Sequence, residues 1–372
     1  MTDSASAPAR ARREERVLEL IETARAKRPR FRDEQITLAH GAGGKATQTL
    51  IEGLLVPAYG GAALQDLGDA GRVDLGSHAP TGPELAMTSD SFVVSPLRFP
   101  GGSIGSLAVN GTVNDLAMAG ARASALTVSL ILEEGLGSGT LRGEVEAIAQ
   151  TARDAGVEIV GGDTKVVGRG LADGMYVCTT GVGVVDPRAR LAPQQLRPGD
   201  RILVSGPIGE HGTAIMLARG QFDLDADIES DTGCLWPAVD ALLGAVGTQL
   251  HCLRDATRGG VASVLNELAR ASHVGVLVQE AEVPVRPVVQ AAAELLGIDP
   301  MYVANEGRLV AVLAPEAQDD ALAALRAVPG CERAAVIGEV AAEPPGMVLV
   351  ATAFGGRRVM DQLVGDPLPR IC

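Results

Sequence analysis

Apolar residues in this chain fall into short runs and helical stripes that predict mixed strands and helices. Gly105–Ala119 places Leu107, Val109, Val113, Leu116 and Ala117 at helical spacing, and Leu141–Ala155 repeats that period. Val157–Val167, Ala123–Leu132 and Met175–Val185 read as strands, the last apolar on both sides of Thr179-Thr180. Upstream, Ile36–Ala39 is a predicted strand. Leu85–Thr88 and Phe92–Ser95 are predicted as two more, split by the polar Ser89-Asp90-Ser91. Leu196-Arg197-Pro198-Gly199-Asp200 is a turn signal that opens a strand at Arg201–Ser205. Beyond it come helices at 210–219 and 259–271, a strand at Val274–Gln279 and further alternation to about 345.

This order predicts an α/β chain of the α+β type with two domains, 36–194 and 195–345, and a ligand cleft between them. Residues 1–35 read as an extension, helical where Val17, Leu18, Leu20, Ile21 and Ala24 align. Residues 346–372 end in a tail that Pro367 and Pro369 hold extended.

Composition sharpens the picture at a few points. Aromatic residues are 2% of the chain against 46% hydrophobic, so the core is built from Ala, Val, Leu and Ile. The 46 glycines in 372 residues exceed the usual ~7% and point to tight turns and backbone-lined loops. A net charge of −14 argues against nucleic acid as a partner. The five cysteines, Cys178, Cys234, Cys252, Cys331 and Cys372, are scattered without CxxC or Cys/His spacing, so zinc and iron–sulfur sites have no footing. Reduced thiols and a cytoplasmic location are expected. No apolar run is long enough for a membrane span, and no apolar segment follows the charged N-terminus as a secretory signal requires.

Three groups of residues carry candidate chemistry. His40-Gly41-Ala42-Gly43-Gly44-Lys45 is a glycine-rich loop entering a helix, suited to phosphate contact through backbone N–H groups. It is not a Walker A loop, because Ala39 and Ala46 stand where that motif needs Gly and Ser or Thr. Asp90, Asn114-Asp115, Asp163 and Asp255 each lie in a short Gly/Ser/Thr/Asn context at an element end. Any one alone is as readily a helix cap or turn, but four together suit Mg²⁺ shared with substrate phosphates. Lys165 in Gly161-Gly162-Asp163-Thr164-Lys165 and Glu306 in Ala304-Asn305-Glu306-Gly307 interrupt apolar runs, so each is expected to face a pocket or an internal ion pair. The chain closes on Pro369-Arg370-Ile371-Cys372, a thiol on an arm that reaches roughly 25 Å when extended.

Taken together these motifs resemble HypE, the family of hydrogenase-maturation carbamoyl dehydratases in the aminoimidazole-ribotide synthetase-like ATP-using superfamily. The resemblance runs from Ile36 to Cys372. It rests on HGAGG at 40–44, TSDSFVVSPLRFPGG at 88–102, IGSLAVNGTVNDLAMAGA at 104–121, GGDTKVVGRG at 161–170, RDATRGGVASVLNELA at 254–269, ANEG at 304–307 and the terminal PRIC. It implies a two-domain fold with mixed sheets and a flexible C-terminal tail, a homodimer paired through the N-terminal domains, and ATP with Mg²⁺ in the cleft. Asp90, Asp115 and Asp255 match the Mg²⁺ positions. Gly41, Gly43, Gly44, Lys45, Asn114, Gly161, Gly162, Asp163 and Thr164 match the nucleotide-binding ones. Cys372 would carry a carbamoyl group placed by a HypF-type carbamoyltransferase, and ATP would drive its dehydration to a thiocyanate. A HypC–HypD complex would then receive the cyanide for the iron of [NiFe]-hydrogenase. Lys165 or Glu306 would take the proton. Ala256 departs from the family's Pro, and residues 1–35 have no counterpart. A superfamily kinase or synthetase acting on a free small molecule, and a scaffold that only presents the thiol, are the competing readings.

Overall fold

The computed structural model describes residues 30–59, 67–73, 82–220, 227–352 and 355–363. The expected N-terminal helix around Val17–Ala24, and the tail with Cys372, lie outside the described residues.

The first half is a mixed sheet of five strands, β1 (Gly71–Val73), β2 (Leu85–Phe92), β5 (Ala121–Glu133), β6 (Glu158–Val167) and β7 (Met175–Val185), in the order β1-β2-β7-β5-β6. Only β5 and β6 run parallel. β3 (Arg98–Phe99) and β4 (Gly102–Ser103) form a small hairpin beside it. The polar Ser89-Asp90-Ser91 does not break β2. These residues keep the alternation, with Ala86, Thr88, Asp90 and Phe92 on one face and Met87, Ser89 and Ser91 on the other. Cross-strand pairing with β7 from Leu85 to Phe92 holds the strand continuous, against the two separate strands expected. The expected strand at Ile36–Ala39 is also replaced, by a 3₁₀ turn at Leu38–Gly41.

The second half is a sheet of seven strands in the order β14-β13-β10-β12-β8-β11-β9. They are β8 (Arg201–Val204), β9 (Leu250–Asp255), β10 (Gly275–Gln279), β11 (Leu309–Leu313), β12 (Ala335–Ala341), β13 (Val348–Ala351) and β14 (Arg357–Met360). Helices at Glu210–Ala218 and Gly260–Ala271 lie close to the expected positions.

The Ile104–Met118 helix joins the halves. It is buried nearly all round, its Asn110, Thr112 and Asn114 included, as a helix enclosed between two halves must be. One side packs on β2 and β7. Val109, Val113 and Leu116 also share a single core cluster with Leu203, Leu253, Leu309 and Ala311 of the second sheet. Gly111 makes the close approach to β2 possible, since a Cβ there would meet the Phe92 ring at 2.8 Å.

Candidate active site

The covered face of β2 aims Thr88 and Asp90 at the Ile104–Met118 helix. Asp90 Oδ2 accepts a hydrogen bond from Thr112 Oγ1 at 2.8 Å, and Asp115 Oδ2 accepts one from Thr88 Oγ1 at 2.8 Å. From the opposite side, Asp255 ends β9 and is 6% exposed, and its Oδ2 has no hydrogen-bond partner. Asp69 completes the group, its Oδ2 3.5 Å from Arg254 Nη1. The carboxyl pKa values all shift upward. Burial is the leading cause for each, and mutual repulsion adds to it at Asp69, Asp115 and Asp255. Asp115 and Asp255 are pushed furthest. The structure therefore brings together three of the four predicted carboxylates, Asp90, Asp115 and Asp255, leaves Asp163 exposed on β6 beside Lys165, and adds Asp69, which sequence reasoning missed. Its Gly68-Asp69-Ala70-Gly71 context resembles the others and was the available signal.

The glycine-rich loop lies over the start of the Gly260–Ala271 helix. Arg258 Nη1 donates to the Gly41 carbonyl at 3.0 Å, and Gly43 has φ +76° with Arg258 O only 2.9 Å from the place of a Cβ. A side chain at Gly43 would therefore meet both backbone strain and a clash. Gly44 caps the Lys45–Leu50 helix. Lys45 faces the C-terminal segment. Its N–H donates to Leu363 O at 2.9 Å and its Nζ to Asp361 Oδ2 at 2.7 Å.

Glu306 is 3% exposed and its Oε1 lacks a hydrogen-bond partner. Burial pushes its pKa well up, Asp255 and Asp231 push in the same direction, and Arg258 opposes them. The carboxyl thus belongs electrostatically to the aspartate cluster. Asn114 acts as a clip at this point. Its Nδ2 donates to Gly233 O at 2.9 Å and to Glu306 O at 3.4 Å, while its Oδ1 accepts from Leu235 N at 2.8 Å.

Lys165 is placed differently from the expectation. It sits on β6, the edge strand of the first sheet, with its side chain 69% exposed, and its Nζ pairs with Asp163 Oδ2. That contact leads in lowering the Asp163 pKa, with help from the Thr164 N–H, which donates to Asp163 Oδ1 at 2.8 Å. Both faces of β6 are exposed from Glu158 to Val166, so among the described residues nothing covers the strand and Lys165 faces no pocket there. Gly161 and Gly162 precede it, and Gly162 is required by β5, since a Cβ there would come within 1.9 Å of Val128 O.

Two sheets joined by one enclosed helix, with carboxylates from both halves meeting at it, match known architecture. Residues 67–185 match the AIR synthase related protein N-terminal domain, and residues 197–350 match the corresponding C-terminal domain. The class is thus a two-domain AIR synthase related protein. Carbamoyl dehydratase HypE of Rhodobacter capsulatus is 49% identical over 344 residues, covering 92% of this chain and 99% of that one. A crystal structure of the hydrogenase maturation protein HypE in complex with ATP shares 45% identity at a TM-score of 0.75, covering 91% of this chain and 100% of the other. A HypE–HypF complex shares 39% identity at a TM-score of 0.79, covering 84% of this chain and 99% of the other. The chain belongs to the HypE family of carbamoyl dehydratases.

Proposed function

We propose that this chain uses ATP to dehydrate a carbamoyl group carried on its own Cys372. The carboxylate cluster carries the reading: Asp90 and Asp115, half-buried on the first domain, meet the buried Asp255 of the second, with Asp69 beside them. The amide oxygen of the thiocarboxamide attacks the γ-phosphate of ATP, ADP leaves, one of the two amide N–H protons is released, and an imino-phosphate with a single N–H results. Loss of the N–H proton and departure of phosphate then give the thiocyanate. Such a transfer depends on position and charge neutralisation.

The donor set fits Mg²⁺. It is all hard oxygen, it is crowded with like charge, and Asp255 Oδ2 is buried without a partner. Among the described residues no three side chains close tightly enough to hold an ion alone, which suits a cation that shares its ligands with nucleotide phosphates. Asp90, Asp115 and Asp255 would hold it. Bound there, Mg²⁺ would neutralise phosphate charge. Gly41, Gly43, Gly44 and Lys45 contribute N–H groups and a cation to the nucleotide. Asn114 acts indirectly, its amide being bonded to Gly233, Glu306 and Leu235, and Gly161, Gly162, Asp163 and Thr164 join the nucleotide only where a second copy covers β6.

Glu306 is the stronger of the two candidates for the proton, because burial and neighbouring carboxylates raise its proton affinity. Lys165 reaches a covered position only if β6 is covered by a second copy. The uncovered β6, with Val160 and Val166 exposed, supports a homodimer formed through the first sheet. The solved HypE–HypF complex supports a HypF-type partner, assigned here as the carbamoyltransferase that loads Cys372. A HypC–HypD complex as acceptor of cyanide for the iron of [NiFe]-hydrogenase and a cytoplasmic setting are part of the same proposal. No helix among the described residues is long and apolar enough to cross a membrane.

Mass spectrometry of the C-terminal peptide after carbamoylation tests the proposal. Loss of one water from Cys372 only when ATP is present is the expected result. An unchanged carbamoyl adduct with ATP and Mg²⁺ would sink it, as would full ATP turnover on a free small molecule after removal of Cys372.

A further inference from the structure

The segment 228–235 links the two halves of the site, and one side chain in it has no role in the reaction as written. Asp231 is fully buried. Its Oδ1 accepts a hydrogen bond from the Glu306 backbone N–H at 3.0 Å, while its Oδ2 stands 3.6 Å from Arg308 Nε without a hydrogen bond. Arg308 is its ion-pair partner, but the guanidinium's hydrogen bonds go to Glu210 Oε2 at 2.8 Å from its Nη2 and Pro207 O at 2.8 Å from its Nε. A buried carboxylate is costly unless it is well paired, and the best bond Asp231 makes is to Glu306.

The surrounding bonds turn that contact into a positioning device. The Glu306 carbonyl accepts from Gly233 N at 3.3 Å, so the Glu306 peptide is gripped on both sides by Asp231–Gly233. Gly307 has no side chain, which lets the Asp231 carbonyl approach to where a Cβ would stand 1.8 Å away. Ser230 N donates to Pro100 O at 2.8 Å, and the Asn114 amide takes Gly233 O and Leu235 N. Asn114 immediately precedes Asp115. The strap therefore fixes Glu306 relative to the helix that carries an aspartate of the cluster.

We infer that Asp231 is a positioning residue, holding Glu306 at the reacting centre through its backbone N–H. The inference rests on Glu306 acting in the reaction as proposed above. Because each molecule acts on its own tail, the readout is the single-turnover rate of water loss from carbamoylated full-length protein, measured against ATP concentration. Asp231→Ala should slow the rate at saturating ATP by about 10²-fold, the cost of misplacing a reacting group by about 1 Å, with the half-saturating ATP concentration unchanged. Asp231→Asn keeps the size and an acceptor, so it should restore most of the rate. In a Glu306→Gln background Asp231→Ala should cost nothing further, since it acts through Glu306.

A full rate in Asp231→Ala while Glu306→Gln is inactive overturns the positioning role alone. So does a loss that adds in full to that of Glu306→Gln. A full rate in Glu306→Gln overturns the reading of Glu306 itself, and the role of Asp231 with it. Should the alanine variant fail to fold, Asp231→Asn decides the matter. A folded asparagine variant with normal ATP dependence and most of its rate supports the hydrogen-bond role, and a loss as large as about 10²-fold in that variant overturns it.

Discussion

Replacing Gly307 by alanine would place a methyl carbon 1.8 Å from the Asp231 carbonyl oxygen, where ordinary contact begins at 3.4 Å. Reaching even the 3.0 Å floor needs a movement of about 1.2 Å, and the obstacle is backbone, so no rotamer relieves it. The strap resists that movement through the Glu306 N–H bond to Asp231 and the Gly233 N–H bond to Glu306 O. Overpacking of this kind costs about 1–3 kcal/mol of stability. Displacing Glu306 by about 1 Å slows the chemistry by about 10²-fold. Two measurements check this: thermal unfolding of the nucleotide-free protein, and the single-turnover rate of ATP-dependent water loss from the carbamoylated tail. ATP binding, which depends on the loop at 41–45 and on the aspartates, should change little. Gly139→Ala is the control, since a Cβ there meets nothing within 4 Å and the position lies inside the Ser138–Ala155 helix. That variant should gain about 0.5–1 kcal/mol and keep its rate. A Gly307→Ala protein with wild-type stability and rate would refute the reasoning, because it would show that the strap yields without moving Glu306.

The remaining predictions concern other parts of the site. Asp115→Asn removes a carboxyl whose pKa is raised by burial and by Asp90, Asp255 and Asp69. The wild-type carboxyl contributes fully to stability below its unfolded pKa near 3.9, and that contribution is lost as pH rises through the higher folded value. Urea unfolding of the nucleotide-free protein should therefore show the asparagine variant gaining on wild type as pH increases, and a flat or opposite trend contradicts the cluster. Gly162→Ala should disrupt the β5–β6 pairing, because its Cβ would meet Val128 O at 1.9 Å; unchanged thermal stability would refute this. Asp361→Asn breaks a half-exposed ion pair with Lys45 and should change stability by less than about 1 kcal/mol. It should tighten ATP binding in calorimetry, since Lys45 no longer divides its charge between Asp361 and phosphate, and weaker binding would count against a phosphate role for Lys45.

The sequence was most legible where a residue's surroundings are local. The spacing of Leu107, Val109, Val113 and Leu116 located the central helix within a residue or two, and the Gly/Ser/Thr contexts picked out Asp90, Asp115 and Asp255, now found together. Reading failed where pairing or distance in sequence decides. Ser89-Asp90-Ser91 looked like a break because polarity was counted without its partner strand, yet β7 supplies a continuous ladder through all three residues. Lys165 looked enclosed because it lies between apolar residues, but along β6 both faces are exposed within one chain, so an apolar neighbour says nothing about cover. Asp231 lies 75 positions from Glu306 along the chain, and no periodicity links them.

The site's rigidity follows from the same helix that organises the fold. Val109, Val113 and Leu116 are buried with side chains of the second sheet, so sliding one domain on the other would open the shared core. At roughly 25 cal/mol per Å² of apolar surface, exposing even a few such side chains costs several kcal/mol. A domain hinge is therefore a poor way to admit substrate. The carboxylates and Glu306 are fixed on that core, whereas the glycine-rich loop is held largely by the Arg258 contact, the Lys45–Asp361 pair and single backbone bonds. Movement during the reaction then falls to the segments at the rim, the 41–45 loop and the C-terminal segment bonded to it at Leu363, while the groups that must stay in register are held by a helix belonging to both domains.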